Sequence, residues 1–283
     1  MVGFRDGYFL SQDCLRLYYR DYGDPHAPKT PVLCLSGLVR NSIDFDHVAV
    51  RLAADRRVLC PDYRGRGRSA YDCNWRRYEP RTYVMDMLDL LTVTGVERVI
   101  VIGTSLGGLL AQGLAALQPA SVAGVVLNDI GPELAPGGLA RILDYIGSDK
   151  VQPDWESAVR YLRTLLPRLA PDADDAWWRT LAEGTYNLGT DGQLHFAWDV
   201  AIARALRDQG PLPDLWALFR GLKTVPTLLL RGELSDLLSA ETAQRMALEK
   251  PDLVCVTVPG RGHTPSLDEP QSERAIDAFL ASL

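Results

Sequence analysis

Six short apolar runs punctuate the chain: PVLCLSG at 31–37, RRVLCPDYRG at 56–65, ERVIVIGTS at 97–105, SVAGVVLND at 121–129, TVPTLLLRG at 224–232 and DLVCVTVPG at 252–260. Their aliphatic and β-branched residues follow one another without polar alternation, the pattern of strands buried on both faces. Between them the period changes. Leu106, Leu109, Leu110, Gly113, Leu114 and Leu117 recur at helical spacing and stop at Pro119; Val84, Met87, Leu88 and Leu91 form a second stripe ending near Gly95. Ser239 is placed to cap a helix carrying Ala243, Met246 and Ala247, and Ala275, Ile276, Phe279 and Leu280 mark another. Strand and helix in alternation predict an α/β protein with a mostly parallel sheet and helices on both faces. Residues 7–23 predict an antiparallel hairpin turning at Gln12–Asp13.

The rhythm stops at about Gly131 and resumes after Leu222. That stretch holds Trp155, Trp177, Trp178, Trp198 and Trp216 amid Leu, Pro and helical patterning, with no clear buried strand. It predicts a helical cap over 131–222 packed over one edge of a core formed by 1–130 and 223–283. The expectation for its aromatic residues is burial, with a few, Trp198 among them, facing a pocket.

Composition narrows the class. The 283 residues are 47% hydrophobic and 23% charged, which suits a globular protein with a large core. A net charge of −6 argues against a polyanion partner, so neither nucleic acid nor a membrane is expected. No run of about 18 apolar residues exists, and the first residues lack the apolar stretch of a secretory signal. Five cysteines show no CxxC or paired spacing; Cys34, Cys60 and Cys255 lie in strand-like runs, which predicts reduced, mostly buried thiols in a cytoplasmic protein. A monomer or homodimer is expected, without a sequence feature that chooses between them. No metal-ligand cluster or phosphate loop appears, so no cofactor is expected.

The chemistry concentrates at Gly103-Thr104-Ser105-Leu106-Gly107, which fits G-x-S-x-G between a buried strand and an amphipathic helix. Such a turn strains its central residue and requires small neighbours two positions away. Ser105 is therefore the candidate nucleophile. A serine hydroxyl needs a general base. Of the four histidines, His26 sits in a Pro-rich loop, His47 in a helix-like stretch expected to be exposed, and His195 in the insertion. His263 follows a buried strand and Gly260-Arg261-Gly262, in a loop free to bend toward the serine.

Six segments, LSGL (35–38), PDYRGRGRS (61–69), GTSLGG (103–108), NDIGP (128–132), RGELSD (231–236) and GRGH (260–263), occur in this order, and with them nearly the whole chain resembles the α/β-hydrolase superfamily. The resemblance implies that fold, with a sheet of the eight-stranded type and a helical cap. It implies Ser105, Asp236 and His263 as catalytic residues in the superfamily's chain order. Glu233 and Asp129 remain alternatives for the acid, because some members carry it one strand earlier. It further implies an oxyanion hole from the amides of Leu106 and Leu38, although Ser36-Gly37 stands where the family usually has His-Gly. Arg40 is a candidate anchor for a substrate carboxylate, with pairing to Asp44 or Asp46 as its ordinary alternative. His195 and Trp198 are candidate pocket residues contributed by the cap. Arg64, Arg66 and Arg68 belong to a family turn, where structural ion pairing is expected.

The implied activity is carboxylic-ester hydrolysis on a small molecule with an apolar portion, of the carboxylesterase kind (EC 3.1.1). The alternatives are carbon–carbon cleavage of a dienoate-type diketone or hydrolysis of a lactone by the same residues. A non-catalytic binding protein of the same fold is a third reading, which the chemically competent site opposes.

Overall fold

A computed structural model describes residues 3–135, 142–143, 145–208 and 214–283. Residues 136–141, 144 and 209–213, within the stretch expected as a cap over 131–222, lie outside the described residues. The eight-stranded sheet is built from β1 (Phe4–Leu10), β2 (Arg16–Tyr22), β3 (Val32–Leu35), β4 (Val58–Pro61), β5 (Val99–Thr104), β6 (Val122–Asn128), β9 (Thr227–Gly232) and β10 (Val254–Val258), in the order β1-β2-β4-β3-β5-β6-β9-β10. β1 and β2 pair antiparallel to each other and β2 to β4; every pairing from β4 to β10 is parallel. All six apolar runs and the hairpin are thus strands of one sheet.

Strand periodicity sorts the side chains onto two faces. Val32, Cys34, Ile100, Ile102, Val126, Leu228 and Leu230 pack with Val48 of α1 (Asp46–Leu52) and with Ile276 and Phe279 of α9 (Pro270–Ala281). Leu33, Leu35, Val101, Val125 and Leu127 belong to the other cluster, with Met87 of α2 (Pro80–Val93) and Leu110 and Leu114 of α3 (Leu106–Leu117). Two faces covered by helices explain the unbroken apolar runs in β3, β5 and β6. β10 departs from that expectation. It is an edge strand, and its Val254 and Cys255 are exposed. Cys34 and Cys60 are buried thiols as expected, whereas Cys255 is exposed, on what is the outermost strand of the sheet among the described residues.

Between β6 and β9 the described chain forms α4 (Trp155–Leu165), α5 (Asp175–Thr185), α6 (Ala201–Asp208) and α7 (Leu215–Arg220). It also forms a two-stranded antiparallel hairpin, β7 (Tyr186–Leu188) with β8 (Leu194–Phe196), which the apolar pattern did not announce because each strand has three residues. α8 (Ala240–Glu249) follows β9 and is capped by Ser239, whose hydroxyl accepts from the Thr242 amide at 3.0 Å. No helix among the described residues is long and apolar enough to cross a membrane.

The arginine turn between β4 and α2 is structural, as its residues implied. Arg64 is 1% exposed and reaches three carboxylates: Asp86 at 2.8 and 2.6 Å, Asp72 at 2.6 Å and Asp13 at 3.0 Å. Burial pushes the Asp86 carboxyl up to about 6, outweighing the pull of Arg64, while Arg64 holds the more accessible Asp13 far below its usual range. Arg64→Met would leave the buried Asp86 without its cation and Asp72 with only Arg77, 3.7 Å away. A stability loss of about 3–5 kcal/mol is expected. It would be read as a lowered midpoint in urea; an unchanged midpoint would remove this cluster from the forces that hold the turn.

Candidate active site

β5 delivers the chain to Ser105, and α3 carries it away. Ser105 has φ 51° and ψ −114°, a backbone conformation that non-glycine residues rarely adopt. The two small neighbours are required by contact. A Cβ on Gly103 would lie 2.4 Å from the Gly107 carbonyl, and one on Gly107 would lie 2.0 Å from the Leu35 carbonyl oxygen. The turn is so tight that β3, β5 and α3 touch through backbone. Ser105 is held from below by its own amide, which donates to the Asn128 carbonyl at 3.0 Å.

His263 lies in the loop after β10. Its Nε2 is 2.9 Å from Ser105 Oγ and its Nδ1 is 2.7 Å from Asp129 Oδ2. A carboxylate only accepts, so Nδ1 carries the proton and Nε2 is free to accept from the serine hydroxyl. Asp129 is fully buried at the end of β6 and also accepts from the Gly232 amide at 2.8 Å and the Ser235 hydroxyl at 2.6 Å. Its own φ of 56° turns the carboxylate out of the strand line toward the imidazole, a conformation that aspartate tolerates better than most residues.

This corrects the expectation for the acid. Both ring nitrogens of His263 are committed, one to Ser105 and one to Asp129, so Asp129 and not Asp236 stands against the imidazole. The physical reason lies in the sheet. β6 and β9 are neighbours, paired Asn128 to Leu230, so a carboxylate at the end of either strand is near the same spot. Asp129 follows directly from β6, whereas Asp236 lies four residues beyond Gly232 in a half-buried loop. From that loop it is Ser235 that turns inward. Glu233 is exposed and accepts from the Gly260 amide at 2.8 Å, supporting the turn that leads to His263.

Asn128 is a residue the sequence reading passed over. It is fully buried, and its side-chain amide donates to Thr104 Oγ1 at 3.0 Å and to the Pro265 carbonyl at 2.9 Å. It thereby ties the segment just after His263 to the residue just before Ser105. Nothing in NDIGP sets this asparagine apart from a strand-end turn residue.

The loop after β3 comes close to the serine. A Cβ on Gly37 would lie 4.0 Å from Ser105 Cβ, and both Gly37 and Leu38 line the cavity above Ser105. Leu106 opens α3, where amides have no partner within the helix. The loop is braced: Arg66 Nε donates to the Leu38 carbonyl at 2.8 Å, Ser36 Oγ to the Arg40 carbonyl at 3.1 Å, and Tyr63 to the Ser36 carbonyl at 3.1 Å. Arg66 departs from the expected ion pairing: among the described residues no carboxylate meets it, and besides Leu38 its guanidinium donates to the Arg64 carbonyl at 2.8 Å and the Tyr83 hydroxyl at 2.9 Å. It is completely buried and fixes the peptide beside the candidate oxyanion donor.

The cavity has a volume of about 410 Å³. Leu162, Leu166, Leu169, Trp177 and Leu181 of the insertion give it an apolar wall facing Ser105 and His263. Trp198 lines it as expected, stacked on Phe196 with ring centroids 3.9 Å apart, its indole donating to the Ile146 carbonyl at 3.2 Å. His195 does not line it. Its side chain points outward between Asp149 (2.7 Å from Nδ1) and Asp191 (3.1 Å from Nε2), which hold its pKa above the usual histidine value. The cause is strand alternation in β8, which turns Phe196 in and the preceding His195 out. His47, exposed as expected, instead reaches the cavity rim, its Nε2 2.8 Å from the Ser266 carbonyl.

Arg40 lines the cavity, but its guanidinium is occupied. Nε donates to Asp44 Oδ2 at 2.8 Å, Nη2 to Asp44 Oδ1 and to the Leu181 carbonyl at 3.4 Å, and Nη1 to Thr185 Oγ1. The charge is neutralised in a fork-to-fork pair, so the residue is not a free anion receptor.

Comparison with known proteins agrees with the architecture. The chain is 36% identical over 266 residues to the 3-hydroxybutyrate-oligomer hydrolase of Cupriavidus necator, covering 90% of this chain and 89% of that protein. It is 29% identical over 251 residues to the 2-(acetamidomethylene)succinate hydrolase of Mesorhizobium japonicum, covering 88% and 87%. Among solved structures, an alpha/beta hydrolase from Novosphingobium aromaticivorans superimposes with a TM-score of 0.94 at 45% identity, over 100% of both chains. The model of the alpha/beta hydrolase family matches residues 32–276, and the chain belongs to that family of hydrolases.

Proposed function

We propose that the protein hydrolyses carboxylic esters through an acyl-enzyme on Ser105. The observation that carries this reading is the unbroken hydrogen-bonded chain Ser105–His263–Asp129, at 2.9 and 2.7 Å, opening onto a largely apolar cavity. His263 Nε2 removes the hydroxyl proton as Ser105 Oγ attacks the ester carbonyl. Asp129 holds the imidazole in the required tautomer and balances the imidazolium that forms. The amides of Leu106 and Leu38 receive the oxyanion; one such donor is typically worth about 10²–10³ in rate. The imidazolium returns its proton to the departing alkoxide. Water then attacks the acyl-enzyme, with His263 again as base, releasing the acid and restoring Ser105.

The cavity wall favours a small ester with an aliphatic or aryl portion. The relative from Cupriavidus necator is a hydrolase of 3-hydroxybutyrate oligomers, short aliphatic polyesters that end in a carboxylate, and the neutral alkyl ester of such a dimer is the first of them to offer this chain. Dienoate-type substrates carry carboxylates. The state of Arg40, already matched by Asp44, argues against them, because a second carboxylate would have to displace the first.

A panel separates these readings: p-nitrophenyl butyrate, a 3-hydroxybutyrate dimer ester, a half-ester with a free carboxylate, a lactone and a dienoate. We expect the neutral esters to exceed the half-ester in kcat/KM by about tenfold or more, roughly the 1.4 kcal/mol of one unmatched charge contact. Turnover of the dienoate above every ester would transfer the reading to carbon–carbon cleavage. Absence of turnover on the whole panel would favour a binding protein.

A further inference from the structure

The last turn of α5 ends on the loop that follows Leu38. A helix leaves its final carbonyls without intrahelical partners. Here one of them, at Gly184, is taken by a side chain of the core, Asn41 Nδ2 donating at 2.9 Å, and Arg40 Nη2 adds a longer bond to the Leu181 carbonyl one turn earlier, at 3.4 Å. Arg40 also donates to Thr185, whose hydroxyl donates in turn to the Leu181 carbonyl at 2.7 Å. A cation at a helix C-terminus is favourable toward the helix dipole. Asp44 holds the guanidinium flat for this, and the seat is shaped to receive it. A Cβ on Gly184 would lie 2.7 Å from Arg40 Nη2 and 3.1 Å from Asp44 Oδ1. Asn41 and Thr185 are buried at 2% and 3% exposure, so the contacts are shielded from water. The same α5 contributes Trp177, Thr180, Leu181 and Thr185 to the cavity.

We propose that Arg40, with Asn41 and Asp44, is a clasp that sets acyl-chain selectivity by fixing α5 over Ser105. The residues of the clasp sit two to six positions after Leu38, so the cavity wall and the candidate oxyanion loop are held in one register. Arg40 acts here as a positioning residue. It grips the wall of the site rather than the substrate.

The selectivity arm of the test rests on the ester-hydrolase reading; a second arm does not. The first measures kcat and KM for p-nitrophenyl esters from acetate to octanoate with wild type, Arg40→Met and Arg40→Lys. Lysine keeps the cation but cannot bridge Asp44, Leu181 and Thr185 together. Both variants are expected to change the octanoate-to-acetate ratio of kcat/KM by about tenfold, mostly through KM, with lysine the milder. The second arm follows hydrogen exchange of the amides at 181–186, which should quicken by about tenfold in Arg40→Met while those of β5 and β6 stay protected. If Arg40→Met does not fold, Arg40→Lys carries both arms. A folded variant with the wild-type chain-length profile and wild-type exchange at 181–186 overturns the clasp. Faster exchange with an unchanged profile overturns its part in selectivity. Wild type that turns over no ester and fails to react with a fluorophosphonate at Ser105 defeats the esterase reading, and exchange alone then decides the clasp.

Discussion

Ser105→Ala should abolish ester turnover, with kcat falling by about 10⁴–10⁶, and should abolish labelling by a fluorophosphonate. The size follows from what remains. Alanine leaves His263, Asp129, the loop after β3 and the cavity in place, so binding and the oxyanion donors persist, and only water is left to attack. KM should move little, because the hydroxyl contributes chiefly in the transition state. Folding should not suffer. The residue occupies a positive-φ position, and alanine adopts that conformation no less readily than serine. A variant that retains more than about a hundredth of wild-type kcat, or a probe adduct on another side chain, would remove Ser105 from the nucleophile's role.

Ser105 was legible in the sequence because its requirements are local. The strained turn needs glycine two residues to either side, a strand before it and a striped helix after it, and all of these are contiguous. The six strands were legible for a related reason: a strand covered on both faces must be apolar at every position. β10 broke that inference because a run of Val and Cys does not say whether another strand lies beyond it. Arg40 was ambiguous for a different reason. Its spacing from Asp44 predicts an ion pair, yet the partners that define its task, Leu181, Gly184 and Thr185, are about 140 residues away. The inward turn of Phe196, and with it the outward turn of His195, depends on a hairpin of three-residue strands too short to show a period.

The acid was the hardest part of the site to read, and it leads to the sharpest expectation. Asp129→Asn should lower kcat by about 10⁴, whereas Asp236→Asn should stay within a few-fold of wild type. Asparagine at 129 keeps the shape but offers either an amide donor or a neutral acceptor to Nδ1. With its NH₂ toward the ring it favours the tautomer that carries the proton on Nε2, where it blocks removal of the serine proton. With its oxygen toward the ring it keeps the tautomer but no longer balances the imidazolium. Either way the Gly232 amide and Ser235 hydroxyl lose a charged acceptor, so some stability is lost as well, about 1–3 kcal/mol. That loss is separable from the kinetic one by assaying well below the melting temperature. The two strand ends are neighbours, and a loop carrying Ser235 to Asp129 also brings Asp236 along the same wall, so each variant must be compared with the other as well as with wild type. Were Asp236→Asn the crippled variant and Asp129→Asn the mild one, the acid would belong to the loop after β9, and the 2.7 Å contact between Asp129 and His263 would be a support for the loop rather than part of the chemistry.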